Sequence, residues 1–161
     1  ALFEQLESGL IDDALIAQSH QDADKFWQIR DGIGELFQVL GPVSNQDVSL
    51  PLEQIGPFAD DLDQRLKAKY NNIGVLLFGH IGDNNLHVCA YTGRDEDKAR
   101  INEDIMLMIS EYAGAITAEH GIGVLKRDFL ALSRTPSEIA LMKTLKMAMD
   151  PKGILNPKRV I

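Results

Sequence analysis

Two histidines bracket a short polar stretch, His80-Ile81-Gly82-Asp83-Asn84-Asn85-Leu86-His87, and further along Glu119-His120 is followed by Gly121-Ile122-Gly123. Neutral imidazole is a good ligand for zinc and related divalent metals, and a carboxylate can complete such a donor set. Two histidines, one glutamate and an open position suit a catalytic metal site, because a structural site is usually closed by four protein ligands. The same residues also fit plainer roles. The histidines could be solvated loop residues, and Glu119-His120 a helix cap or a surface pair. Residue type and spacing alone do not separate hydrolytic from redox chemistry. A stand-alone metal-dependent hydrolase and a non-catalytic binding or assembly module both remain open on these grounds.

Strands and turns must hold these groups in place. Residues 73–78 and 86–91 read as two strands joined by the turn-rich segment 79–85, a hairpin with a wide loop. Alternation sends Leu86, Val88 and Ala90 to one side of the second strand and His87, Cys89 and Tyr91 to the other. A short strand is expected at 46–50 and another at 115–119. In an extended strand Glu119 and His120 would point apart, so their joint use requires a turn there.

Apolar spacing predicts helices over 22–40, with Phe26, Ile29, Ile33, Leu36, Phe37 and Leu40 on one face, and after Pro51, with Ile55, Phe58, Leu62 and Leu66 buried. A third is expected at 95–112 and a helical stretch near 124–131. The last helix has a clear start, since Thr135, Pro136 and Glu138 fit an N-cap, a first helical proline and the glutamate of a capping box. Its expected stripe is Ile139, Met142, Leu145 and Met149, and residues 154–161 should form an extended tail. Together these elements predict one α+β unit over 1–161, an antiparallel sheet with helices packed on it.

The 161 residues carry 16 Lys and Arg against 24 Asp and Glu, a formal charge of −8. No basic cluster stands out, which argues against nucleic-acid binding through phosphates. Cys89 is the single cysteine, so no intramolecular disulfide can form. No apolar run is long enough to span a bilayer, and a cytoplasmic location, or the mitochondrial matrix in a eukaryote, is expected. The sequence opens at Ala1 and reads as a piece of a longer protein.

Three segments in order carry a resemblance: Phe78-Gly79-His80-Ile81-Gly82-Asp83-Asn84-Asn85-Leu86-His87, Ala118-Glu119-His120-Gly121-Ile122-Gly123 with Lys126, and Asp150-Pro151-Lys152-Gly153-Ile154-Leu155-Asn156-Pro157. With Asp47-Val48-Ser49-Leu50-Pro51, they resemble the C-terminal portion of FAD-linked oxidases, the family of D-2-hydroxyglutarate dehydrogenase, D-lactate dehydrogenase and the glycolate oxidase FAD subunit. The resemblance implies the cap-domain part of a vanillyl-alcohol-oxidase-type flavoprotein, with FAD held mainly by an N-terminal domain that this sequence lacks. It implies a metal, usually zinc, on His80, His87 and Glu119, with His120 as general base. It further implies Arg30 as the substrate-carboxylate ligand and Asn156 as a residue near the flavin. The substrate would be a small 2-hydroxy acid whose C2 hydride passes to the flavin. This chain alone is expected to be inactive.

Departures from the family pattern bear on the substrate. The positions at which hydroxyglutarate dehydrogenases hold the distal carboxylate read Gly34 and Asn45 here, and Cys89 stands two residues after the second histidine in place of an asparagine. They favour a monocarboxylic acid such as lactate or glycolate. The turn segment reads Gly82-Asp83-Asn84-Asn85, with Asn84 expected to take a left-handed conformation. Apolar surface left by a missing flavin domain should promote self-association.

Overall fold

The computed structural model describes residues 2–161, Ile81 by its backbone only, and divides the chain into two compact units, the first running to Val39 and the second Leu40–Ile161. The first contains helices α1 (Leu2–Glu7) and α2 (His20–Asp31) and nearly all of α3 (Ile33–Leu40). Ser19 begins α2 as its N-cap, accepting the Asp22 N–H at 3.1 Å and donating its hydroxyl to the Asp22 carboxylate at 2.8 Å. The one helix expected over 22–40 is thus two, broken at Gly32, the residue type with most backbone freedom to lose in a helix. The apolar face read for it is not buried. No residue of α1, α2 or α3 is buried.

The second unit is built on strands β1 (Ser44–Ser49), β2 (Gly74–His80) and β3 (Asn85–Tyr91), antiparallel in the order β1-β3-β2. Helix α4 (Ile55–Lys69) connects β1 to β2 after a short 3-10 turn at Leu52–Gln54. Helix α5 (Asp95–Glu111) follows β3, and α6 (Pro136–Met149) follows a longer 3-10 segment at Arg127–Leu132. The α+β class and the antiparallel sheet expected from the sequence are both present.

Alternation along β3 sends Leu86, Val88 and Ala90 into the core, where they join Val48 of β1, Phe58, Leu62 and Leu66 of α4 and Ile101, Ile105 and Ile109 of α5. Each fully buried Leu, Ile or Phe contributes roughly 1.5–3 kcal/mol, which makes this cluster the main anchor of the sheet. His87 and Cys89 occupy the alternate positions. The register sets His87 opposite Asp47 of β1 and Phe78 of β2, with His80 opposite Asn85.

Four expectations need correction. Residues 115–119 form a single bridge between Ser49 and Ala115 rather than a strand, because the following peptide N–H groups turn onto the Asp47 carboxylate instead of a neighbouring strand. The helical stretch near 124–131 is a 3-10 segment starting at Arg127. Helix α6 has the expected Thr135–Glu138 capping box, yet none of its residues is buried: Ile139 and Met142 of its apolar stripe are half-buried, and Leu145 and Met149 are 53% and 81% exposed. The tail is turned rather than extended: the Asp150 carboxylate accepts the N–H groups of Ile154 and Leu155 at 3.0 and 2.9 Å, and Asn156, Lys158 and Val160 all have positive φ.

Candidate functional site

The last residue of β2 is His80, and the chain returns through a 3-10 turn at Ile81–Asp83 and Asn84, whose φ of 62° is the expected left-handed conformation. Strand β3 then presents His87 next to Phe78, with the rings stacked at 4.9 Å between centroids. The His80 and His87 rings lie 6.1 Å apart edge to face. From the other side, residues 115–121 bring Glu119 and His120 to the same end of the sheet. Glu119 Oε1 is 3.6 Å from His80 Nδ1, and the His120 ring is 5.8 Å from that of His87. Asp83 adds a carboxylate oxygen 3.5 Å from His80 Nδ1.

Two overlapping sets of metal-competent donors result, His80 with Asp83 and Glu119, and His87 with Asp47 and Glu119; within each set the ligand atoms lie within 4.8 Å of one another. Glu119 is common to both. His80 and His87 fall in different sets, so their convergence runs through that shared carboxylate. Burial, opposed by the charges of Asp47 and Glu119, holds His87 below the ordinary imidazole range. That shift favours the neutral imidazole, the form that can offer a lone pair to a ligand.

Asp47 organises the adjoining backbone. Its Oδ2 accepts the N–H groups of Ala118, Glu119 and His120 at 3.1, 2.8 and 2.8 Å, and its Oδ1 accepts the Asn85 side-chain amide at 3.0 Å. Burial pushes this carboxyl upward, but the hydrogen bonds from His120, Glu119, Ala118 and Asn85 outweigh it and leave the pKa at about 2. Lys126 donates to the backbone oxygens of Asp47 and Ile116 at 2.8 and 2.7 Å. A cleft of about 610 Å³ opens beside His120, lined also by Asn45, Asp47, Lys98, Lys126 and Arg159.

Residue types and spacing pick out His80, His87, Glu119 and His120, which the structure brings together. Arg30 belongs to the first unit, on α2, with its guanidinium 3.2 Å from the Asp31 carboxylate. Asn156 lies in the turned tail, where its backbone oxygen accepts the Arg159 N–H and Val160 N–H reaches Gly123 O. Asp47, Asn85 and Lys126 were not assigned as site residues from the sequence. A signal for Asp47 was present: aspartate is uncommon in strands, and a carboxylate between residues that face a core needs partners.

Imidazoles and carboxylates therefore gather at one sheet end beside a cleft. The chain matches FAD linked oxidases, C-terminal domain, over residues 1–160, and it belongs to that family. It is 41% identical over 99% of its length to a mitochondrial D-2-hydroxyglutarate dehydrogenase of Arabidopsis thaliana. It is likewise 35% identical over 99% of its length to a D-2-hydroxyglutarate dehydrogenase of Stutzerimonas stutzeri and to a mitochondrial one of Rattus norvegicus. The chain spans 28%, 36% and 30% of those three relatives, respectively. Among the described residues, no helix is long and apolar enough to cross a membrane.

Proposed function

We propose that this chain forms the acid-binding portion of an FAD-dependent 2-hydroxy acid dehydrogenase, with His80, His87 and Glu119 holding a divalent metal. The observation that carries the proposal is the meeting of Glu119 with His80, and of His120 with His87, at one end of the sheet. The donors fit the metal: imidazole nitrogens, one of them held neutral by burial, and an exposed carboxylate that leaves room for a further ligand. Imidazole donors favour zinc over magnesium or calcium. When bound, the metal supplies Lewis acidity to the substrate hydroxyl and the flavin accepts the C2 hydride.

The chain's own residues would do the rest. His120, on the wall of the cleft, takes the hydroxyl proton, and an imidazole suits that task near neutral pH. Arg30, carried by the first unit, has the side chain for a two-pronged, charge-assisted pair with a carboxylate. Asn156 would lie toward the flavin, whose remaining contacts come from outside this chain, so the chain alone would not turn over. A cytoplasmic or mitochondrial-matrix setting fits this reading, and the exposed apolar side of α6 supports self-association.

Gly34 and Asn45 favour a monocarboxylic acid, even though the relatives above are named for hydroxyglutarate. The test is anaerobic bleaching of flavin absorbance in the intact flavin-loaded protein, with lactate, glycolate and D-2-hydroxyglutarate as substrates. Bleaching by at least one of these acids is expected, with loss of at least about 100-fold in His80→Ala and in Glu119→Gln, at the upper end of effects seen for residues that merely support a metal ligand. Asn45→Lys should shift preference toward the dicarboxylic acid. Undiminished bleaching in a His80→Ala/His87→Ala double variant would end the metal reading.

A further inference from the structure

We infer that Asp47 is the positioning residue of this site: its buried carboxylate bends residues 118–120 so that Glu119 reaches His80 while His120 reaches His87. The inference rests on the reading above only in taking Glu119 and His120 as working residues. Neighbours in an extended chain point to opposite sides, so Glu119 and His120 can serve one site only if the backbone turns between them. Three consecutive peptide N–H groups aimed at one oxygen make such a turn, an anion-holding concavity with the anion supplied by the protein itself.

Asp47 also ties the two halves of the site together. It sits opposite His87 in the β1–β3 register, and it accepts the side-chain amide of Asn85, the first residue of β3. The hairpin that carries His80 and His87 is thereby linked through one side chain to the segment that carries Glu119 and His120. A carboxylate has about four lone-pair sites. Oδ2 takes the Ala118, Glu119 and His120 N–H groups and a 3.5 Å contact from the Thr117 hydroxyl, so that oxygen is given over to orientation, whereas Oδ1 accepts only the Asn85 amide and keeps a lone pair within reach of a metal at His87 and Glu119. Lys126 closes the arrangement from behind by bonding the Asp47 and Ile116 carbonyl oxygens.

The test compares the wild-type full chain with Asp47→Ala, Asp47→Asn and Leu62→Ala, the last a core truncation on α4 that lowers stability without touching the site. NMR would follow amide exchange at residues 118–120 and the contact between the His87 and His120 rings, and visible absorbance would follow Co²⁺ binding. In Asp47→Ala, exchange at those three amides should rise at least about 10-fold, the ring contact should vanish, and Co²⁺ should bind about 10–100-fold more weakly. Asp47→Asn keeps the shape and one accepting oxygen without the charge, and should fall between wild type and Asp47→Ala. Leu62→Ala should leave ring contact and Co²⁺ affinity unchanged.

Wild-type exchange at 118–120 in Asp47→Ala overturns the inference, and so does faster exchange with ring contact and Co²⁺ affinity both intact. If Asp47→Ala does not fold, Asp47→Asn decides, and its equality with wild type in every readout overturns the inference as well. Failure of the wild-type chain to take up Co²⁺ instead defeats the metal reading of the previous subsection, and the exchange and ring-contact data still decide the role of Asp47.

Discussion

The Lys126 ammonium lies 2.8 Å from the backbone oxygen of Asp47 and 2.7 Å from that of Ile116, so one side chain satisfies two carbonyls on either side of the site. Burial lowers the Lys126 pKa, while the negative charge of Asp47 acts against that shift. Lys126→Met keeps the apolar stem and strands both acceptors. The expected cost is about 1–3 kcal/mol, read as a lower urea midpoint at unchanged slope. A midpoint equal to wild type would mean that water replaces the ammonium without loss.

Acid should weaken the fold through Asp47. Its folded-state pKa, about 2, lies below its ordinary value of 3.8, so the stabilisation is complete above 3.8 and is lost as pH falls through about 2. A shift of this size corresponds to roughly 2 kcal/mol. Urea unfolding at pH 6 and again near pH 2 should therefore give a large gap between wild type and Asp47→Asn in the first case and a small one in the second. A gap that is constant with pH would refute the assignment.

Cys89 should be inert in the native protein. Its side chain is fully buried, and burial pushes the thiol up to about 12, so almost no thiolate exists at neutral pH. A thiol-reactive dye should label the chain only in denaturant. Stoichiometric labelling of the folded protein within minutes would show that β3 opens far more readily than its packing implies.

The outward apolar side of α6, with Leu141 and Leu145 more than half exposed, should drive concentration-dependent association. Sedimentation velocity over a range of concentrations would detect it, and Leu141→Lys/Leu145→Lys should shift the distribution toward monomer. A wild-type chain that stays monomeric at high concentration would remove the basis for this expectation.

Periodicity located most elements because burial enforces it. Phe58, Leu62 and Leu66 on α4, and Leu86, Val88 and Ala90 on β3, lie in the core as their spacing predicts. It misled for α6, where Ile139, Met142, Leu145 and Met149 repeat at helical spacing, yet Ile139 and Met142 are only half-buried and Leu145 and Met149 are exposed. Spacing reveals an amphipathic face and says nothing about what that face meets. The 115–119 segment failed for another reason. Its apolar residues suit a strand, but a side chain more than seventy residues earlier captures its N–H groups, and no local pattern encodes a contact of that range. His80, His87, Glu119 and His120 were recognisable by type, whereas Asp47 serves through its hydrogen bonds, and its being an unusual strand residue does not reveal which groups it holds.

Gly79 lies just before His80 with φ at 156°, and a Cβ at that position would stand 2.4 Å from the Asn85 oxygen and 3.1 Å from Leu86 Cα. Any side chain there would wedge the two strands apart at the mouth of the hairpin. Gly82 and Asp83, three and four residues on, are exposed, and Gly82 has open space around it. The hairpin therefore has an immovable root and a permissive tip. Side chains fit at the tip, while a single methyl group at the root would disturb the hairpin that carries His80 and His87.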